Sequence, residues 1–390
     1  MKILFLVSSM NAGGAERVAA TLCNAWADQG HDVTLMACAS QTQHKSFYDL
    51  QAQVKLQWLA DALPKNRVLS RLLKPYYLRQ VVQKIQPEVV ISFLTNVNIT
   101  ALLALKSCPR GTGPKLIVCE RTNPMAGQNI SAVLKWLRRT LYPRADAVML
   151  QTQAAAQQFE AHMPALRKVA VIANPLPAEF MPPEQVEQAE KVEADPTGSN
   201  SHEQPKVLLA MGRLNRIKRF DFLLECFAQV RQACPDWQLH IYGQGPEHDT
   251  LQQQIDHLQL QDRAFLKGKT DQVRTTMLQA QAFALTSRLE GFPNVLLEAM
   301  ACGLPAITVD CPSGPAELSQ HGQLALLVGM HDKAAFVAQL QKLLSDASLR
   351  AELGQKAQSS VLANYSLEAV LEDWRKLFAD LELVTSCKKN

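Results

Sequence analysis

Short apolar runs alternate with longer segments of mixed polarity, and the pattern occurs twice along the chain. In the first half, apolar runs at 2–7, 33–37, 89–93, 115–119, 145–150 and 169–172 alternate with helix-like stretches such as 15–29, 68–85 and 132–141. Continuous apolar strands are buried on both faces, and their alternation with helices predicts a parallel sheet with helices on each side. Residues 181–204 break the pattern. They carry six acidic residues, one Lys, and Pro, Gly, Ser and Asn, with almost no large apolar side chains. Such a composition cannot build a core and reads as a linker or insertion. The alternation then restarts. Strands are predicted at 207–211, 238–242, 264–266, 282–285, 306–309 and 325–328, and helices at 220–233, 247–258, 272–278, 295–301, 333–344 and 347–363. A last helix, 367–383, has Ser366 as its expected N-cap and Glu368 in its first turn. The expectation is an α/β protein of two doubly wound domains, 1–178 and 205–365, facing across a cleft. Ligands of such sheets bind at the carboxyl ends of the strands.

Composition narrows the class. With 47% hydrophobic and 19% charged residues among 390, collagen-like and largely disordered chains are excluded. The nine cysteines are scattered and form no C-x-x-C pair. This disfavours structural zinc or a disulfide framework and fits a reducing cytosol. The apolar run at 3–7 stops after five residues at Ser8-Ser9, so it reads as a first strand and not as a secretion signal. No stretch reaches the roughly 18 apolar residues of a membrane span.

Three segments suggest chemistry. Ser8-Ser9-Met10-Asn11-Ala12-Gly13-Gly14-Ala15-Glu16 joins the first strand to the first helix. Its glycines allow close backbone approach, and free amides at a helix start favour an anion. A tight strand-to-helix turn explains the same residues. The spacing departs from the dinucleotide fingerprint G-x-G-x-x-G, which weakens a nicotinamide reading. Gly212-Arg213-Leu214-Asn215-Arg216-Ile217-Lys218-Arg219 sets four cations just past a strand end. That placement suits a phosphate-bearing ligand, although a solvated basic turn is the commoner use of a charge run. The third is Glu290-Gly291-Phe292-Pro293-Asn294-Val295-Leu296-Leu297-Glu298, followed by Gly303 as a C-terminal cap and Pro305. The amides of Asn294, Val295 and Leu296 open a short helix and can face an anion. Glu290 precedes it and Glu298 lies in its second turn, where a carboxylate can accept from sugar hydroxyls or serve only as a favourable early-helix residue.

The pair Glu290 and Glu298 inside EGFPNVLLEAMACGLP closely resembles the donor-site signature of glycosyltransferase family 4, retaining enzymes of the two-domain GT-B fold. The resemblance extends through most of the chain. MNAGGAE is similar to the family's glycine-rich first loop, GRLNRIK to its phosphate loop, Ile241-Tyr242-Gly243-Gln244-Gly245-Pro246 to its G-x-G strand end, and Asn174-Pro175 to the close of its first domain. The last helix, 366–390, resembles the one that crosses back to the N-terminal domain. Glu120-Arg121-Thr122-Asn123-Pro124 with Asp310-Cys311-Pro312-Ser313-Gly314-Pro315 resembles the bacterial branch that builds surface polysaccharides and lipid-linked oligosaccharides.

The resemblance implies roles one residue at a time. Arg213 and Lys218 would bind the donor diphosphate, with backbone donors from Asn294, Val295 and Leu296. Glu290 would contact the transferred sugar and Glu298 the nucleotide ribose. Gly13 and Gly14 would approach the diphosphate from the first domain, and the loop at Gly243 would lie near the base. Cations and a helix terminus can stabilise a departing diphosphate without a metal. The chain has no Asp-x-Asp motif, so neither metal nor cofactor is expected. Two positions depart from the family pattern. Lys218 is followed by Arg219 where the family usually has Gly. The first-domain loop also lacks the family's histidine, which leaves Glu120 or Arg121 to face the reacting sugar.

Charge adds a partner. Residues 1–180 hold 20 Lys/Arg against 10 Asp/Glu, a net +10, whereas residues 181–390 carry a net −6. Arg67, Arg71, Lys74, Arg79 and Lys84 interleave with apolar and aromatic residues, and Lys135-Trp136-Leu137-Arg138-Arg139 repeats the mix. Such segments suit an anionic membrane surface, although helices packed on their own sheet read the same way. The expected enzyme moves a hexose or N-acetylhexosamine from a nucleotide-diphosphate sugar, UDP by resemblance to the branch, onto a polyprenyl-diphosphate-linked or other lipid-linked acceptor. It would work in the cytoplasm, peripheral to the inner face of the membrane. A soluble-acceptor transferase and a sugar-nucleotide epimerase are the enzymatic alternatives. Nucleic acid is not an expected partner, because zinc, helix-turn-helix and stacking signatures are missing.

Overall fold

A computed structural model describes residues 1–39, 45–64, 66–106, 113–121, 131–163, 165–182 and 205–383. The expected linker therefore lies almost entirely outside the described residues, as do Thr122, Asn123, Pro124 and the tail beyond 383. The chain divides into two compact units, Met1–Pro175 with Leu367–Asn390, and Leu176–Ser366.

The first unit is a seven-stranded sheet. Its elements are β1 (Lys2–Val7), α1 (Gly14–Asp28), β2 (Asp32–Ala37), β3 (Lys55–Trp58), α2 (Arg67–Ile85), β4 (Val89–Phe93), α3 (Thr95–Ala104), β5 (Lys115–Cys119), α4 (Ala132–Leu141), β6 (Ala147–Leu150), α5 (Gln153–His162) and β7 (Val169–Val171). The strand order is β3-β2-β1-β4-β5-β6-β7, with every pair parallel. Side chains alternate across the sheet. Ile3, Phe5 and Val7 enter one core with α1, and Leu4 and Leu6 enter another with α2, α3, α4 and α5.

The second unit holds β8 (Lys206–Met211), α6 (Phe220–Val230), β9 (Trp237–Tyr242), α7 (His248–His257), β10 (Ala264–Gly268), α8 (Val273–Leu278), β11 (Ala282–Leu285), α9 (Asn294–Ala301), β12 (Ala306–Asp310), α10 (Pro315–Leu318), β13 (Leu326–Gly329), α11 (Lys333–Ser345) and α12 (Ala347–Asn364). Its order, β10-β9-β8-β11-β12-β13, is again all parallel. In both sheets the order reverses beside the first strand, at β1/β4 and at β8/β11. Doubly wound sheets open a ligand crevice at that point, outside the carboxyl ends.

The final helix, α13 (Leu367–Asp380), belongs to the first unit. Trp374 meets Trp26 of α1 edge-on with ring centroids 5.4 Å apart, and Phe378 packs beside both. Lys168 and Asp380 pair at 2.6 Å. We expect Trp374→Ala to destabilise the first unit by about 3–5 kcal/mol, the usual cost of deleting a buried indole. Urea unfolding followed by circular dichroism measures it, and a loss below 1 kcal/mol would contradict the packing.

The structure departs from the sequence pattern at identifiable places. β3 is a four-residue edge strand with only Trp58 buried, too short and too polar to register. Helices α3 and α5 leave little signal in the sequence, because TNVNITALLA and QAAAQQFEAH have no strong apolar stripe. The helix expected to reach residue 233 stops at Val230, ahead of Pro235. The one expected to reach 383 stops at Asp380, where Glu382 turns left-handed with φ 59°.

Candidate functional site

The strand reversal in the second unit brings together two loops that are about 70 residues apart in sequence. The loop after β8 carries Arg213 and Lys218, and the loop after β11 carries Glu290. Thr286 joins them: its hydroxyl donates to the carbonyls of Lys218 and Arg219 at 2.9 and 3.1 Å. The Arg288 amide donates to the Ile217 carbonyl at 2.8 Å. With the backbones pinned, the Lys218 ammonium sits 2.7 Å from a Glu290 carboxylate oxygen, their side chains 21% and 11% exposed. Arg213 lies in the same loop with its side chain exposed. The loop after β12 supports the pair from behind, with the Ser313 hydroxyl donating to the Glu290 carbonyl at 2.8 Å.

The helix that follows opens without a side-chain cap, at Pro293. Of the three amides expected to face an anion, Asn294 donates to the Phe292 carbonyl and Leu296 to the Pro293 carbonyl, both at 2.9 Å. Val295 is the remaining member of that set. Glu298 is buried within the helix. The C-terminal cap forms as expected: Gly303 and Leu304 donate back to Met300 and Ala299.

Gly243 has a structural use that the sequence did not reveal. Its amide donates to Gly268, the Gly212 amide donates to Tyr242, and Leu214 donates to Gln244. The G-x-G segment therefore runs alongside the phosphate-loop candidate. A Cβ on Gly243 would lie 1.8 Å from the Gly212 carbonyl oxygen, and one on Gly245 would lie 2.2 Å from that of Leu214. These glycines exist to let the two backbones touch. Arg219 is resolved similarly. It holds a left-handed φ of 53°, the conformation in which glycine costs least. Its guanidinium is not a further cation for a ligand: it stacks 4.2 Å from the Phe222 ring and donates to the Met330 carbonyl.

In the first unit, Gly13 and Gly14 lie at the β1–α1 junction. The Tyr48 hydroxyl bridges both the amide and the carbonyl of Gly13 at 2.9 Å, so the first glycine's polar groups already have a protein partner. Glu120 and Arg121 follow β5 and are both buried. The Glu120 carboxylate accepts from Thr95 and from the Tyr142 hydroxyl, which also receives from Asn98. Arg121 stacks 4.3 Å from the Phe93 ring and donates to Asn174, which Gln151 also binds. The geometry alters the sequence expectation for this loop. Both side chains are buried and bonded to the first unit's own residues beside the ends of β4 and β5, while the buried Arg121 Nε has no hydrogen-bond partner among the described residues.

Burial raises the Glu120 carboxyl above its ordinary value, against the lowering effects of Tyr142, Arg138 and Thr95. Burial also pushes Arg121 down to about 10. A carboxyl raised in the folded state stabilises fully below its unfolded value, and that contribution is lost as pH rises through the folded value. Glu120→Gln removes the titration. Wild type should therefore lose stability relative to Glu120→Gln as pH climbs above the ordinary carboxylate range, read from paired urea curves. Parallel pH profiles for the two proteins would rule out the raised carboxyl.

Among the described residues no group of three or more His, Cys, Asp or Glu side chains could hold a metal ion. Comparison with known proteins places the chain in a family. Residues 12–180 match the model described as Glycosyltransferase Family 4, and residues 191–360 that of Glycosyl transferases group 1. The chain is 26% identical to a Campylobacter jejuni GalNAc-alpha-(1->4)-GalNAc-alpha-(1->3)-diNAcBac-PP-undecaprenol alpha-1,4-N-acetyl-D-galactosaminyltransferase, covering 98% of this chain and 99% of that one. It is 28% identical to the amylovoran biosynthesis glycosyltransferase AmsD of Erwinia amylovora, covering 96% and 99%. Among solved structures, a sucrose-phosphate synthase from Thermosynechococcus elongatus superposes with a TM-score of 0.80 at 17% identity, covering 99% and 100%. HepE of Anabaena in complex with UDP gives 0.76 at 19% identity, covering 98% and 100%. With both units matched, the chain is a glycosyltransferase belonging to family 4, and its two parallel-sheet units are the Rossmann-like domains of the GT-B fold.

Proposed function

We propose that this glycosyltransferase moves a hexose or N-acetylhexosamine from a UDP-sugar, with retention of configuration, onto a lipid-linked saccharide during surface-polysaccharide assembly. The observation that carries the reading is the Lys218–Glu290 pair at the strand reversal of the second unit, in whose first loop Arg213 also lies. The relatives support it by their named activities, one on an undecaprenyl-diphosphate-linked saccharide and one in amylovoran synthesis. The UDP held in the HepE crystals supports the choice of base.

In this reading the C1–oxygen bond to the diphosphate breaks and the nucleoside diphosphate leaves with the electron pair. An acceptor hydroxyl bonds to C1 and passes its proton to the departing phosphate oxygen. Negative charge grows on the diphosphate; Lys218, held by Glu290, is a preorganised cation for it, and Arg213 of the same loop is a second cation. The amide end of α9 adds a favourable dipole. Glu290 orients the sugar through its hydroxyls, and Glu298 is assigned to the ribose. The cations take the place that a metal fills in other transferases, and the acceptor is met at the inner face of an anionic membrane.

A donor screen tests this directly. Thermal shifts with UDP-, GDP- and ADP-sugars should single out UDP, since a ligand at a hundred times its Kd stabilises by about 2.7 kcal/mol. Product from a lipid-linked acceptor, analysed by NMR, should keep the donor's anomeric configuration. Turnover of a nucleotide sugar to its epimer with no acceptor present would sink the transferase reading.

A further inference from the structure

The segment between β2 and β3 is fastened to the glycine loop that follows β1. The Phe47 amide donates to the Met10 carbonyl at 2.9 Å. The Tyr48 hydroxyl accepts from the Gly13 amide and donates to its carbonyl, both at 2.9 Å. The Ser46 hydroxyl donates to the Tyr48 carbonyl at 2.6 Å and accepts from its amide at 3.1 Å. Asn24 of α1 grips the same segment further on, donating to the Asp49 carbonyl and accepting from the Gln51 amide, both at 3.0 Å. The glycine loop and α1 therefore fix residues 46–51 at the carboxyl edge of the first unit.

That mount holds an exposed ring. Phe47 is 60% exposed, although Tyr48 meets it edge-on, with ring centroids 5.2 Å apart and planes at 80°. A single exposed apolar side chain is ordinary on a protein surface. What sets Phe47 apart is that its main chain and its neighbouring ring are fixed on the loop that bears Gly13, at the edge where ligands of a doubly wound sheet bind. A ring held in this way loses little conformational freedom when a ligand covers it. Asn11, next in the chain to Met10, and Lys45, two residues before Phe47, are exposed as well. An apolar face with polar groups at its margin matches a pyranose, which has a C–H face and a rim of hydroxyls.

We infer that Phe47 is the stacking platform for the acceptor saccharide: its exposed face covers one pyranose ring of the acceptor and sets that ring's position relative to Gly13. The inference rests on the transferase reading above and names the residue that recognises the saccharide part of the acceptor, apart from any lipid. Stacking needs no particular pattern of hydroxyls. Phe47 therefore supplies affinity and alignment, and selection among sugars falls to the polar groups around it. Because Tyr48 ties the segment to both polar groups of Gly13, the platform and the glycine loop keep a fixed spacing. Binding at Phe47 calls on no residue of the second unit, so it should be seen without donor.

Saturation-transfer NMR on the full chain reads this without donor, lipid or turnover. The probes are the methyl α-glycosides of glucose, galactose, N-acetylglucosamine and N-acetylgalactosamine, and disaccharides built from them. Saturation should reach the ring C–H protons of at least one probe. Phe47→Ala should cut that signal about tenfold, the loss expected when a Phe face no longer covers apolar surface, and Phe47→Trp should keep it. In the transfer assay above, Phe47→Ala should raise the acceptor KM about tenfold and leave the donor KM unchanged. The side chain is exposed, so an unaltered melting temperature reports an intact fold. Three results would each overturn the platform: no saturation of any probe by the wild type, equal saturation by Phe47→Ala, or a loss of partition onto phosphatidylglycerol vesicles in Phe47→Ala with saccharide saturation unchanged. Failure of the transferase reading shows instead in the donor screen and product analysis, so the two failures are distinguishable.

Discussion

Lys218→Ala should lower kcat/KM for sugar transfer by roughly a thousandfold, about 4 kcal/mol of transition-state stabilisation. The magnitude follows from placement. Lys218 is held at both ends, its carbonyl by Thr286 and its ammonium by Glu290. A cation fixed in that way costs no reorganisation when charge develops on a leaving diphosphate. Folding should suffer little, on the order of 1 kcal/mol, because the pair is partly solvated. The double variant Lys218→Ala/Glu290→Ala separates two roles. If Lys218 serves only to position Glu290, the double variant loses no more than Glu290→Ala alone. Steady-state kinetics on the three proteins decides, and a Lys218→Ala enzyme within threefold of wild type would exclude the assignment.

The second large effect is expected from a residue that need not touch substrate. Gly243→Ala should destabilise the second unit by about 2–4 kcal/mol and abolish the donor-induced thermal shift. The added methyl would lie 1.8 Å from the Gly212 carbonyl oxygen and 2.9 Å from its carbon. Both are backbone atoms, so no side chain can move aside; the loop bearing Arg213 must shift instead. Gly268→Ala provides the control. It has φ +71° and nothing within 4 Å of its would-be Cβ, so only the backbone conformation is strained, at about 1 kcal/mol. Similar losses in the two variants would show that steric contact with the phosphate loop is not the cause.

Much of the architecture was legible in the sequence because it is encoded locally. The strands of both sheets are continuous apolar runs, such as KILFLV and VVISF, and a parallel sheet leaves that signal wherever both faces are covered. Arg213, Lys218 and Glu290 were also visible, because they sit at fixed offsets from strand ends and helix starts. The signals that failed were those of elements without strong periodicity, notably the edge strand β3 and the Ala- and Gln-rich α5.

Other features had no local signature. Gly243 read as a ligand-side glycine, and only its approach to Gly212 explains it. Arg219 read as one more cation, yet it stacks on Phe222 and binds Met330, 111 residues away. Ser313 and Thr286 had no visible role until strand order placed them against Glu290 and Lys218. Glu120 looked like a sugar contact, and the structure buries it against Tyr142.

By itself the sequence determined the two-domain α/β class from residue type and period, and its resemblance to family 4 supplied the family and the candidate residues for a diphosphate. Tertiary structure alone decided which of those residues meet, which charges are committed to the fold, and which aromatic stays exposed beside the glycine loop. The physical reason is that burial and pairing depend on strand order, and strand order joins segments whose separation along the chain carries no information about their contact.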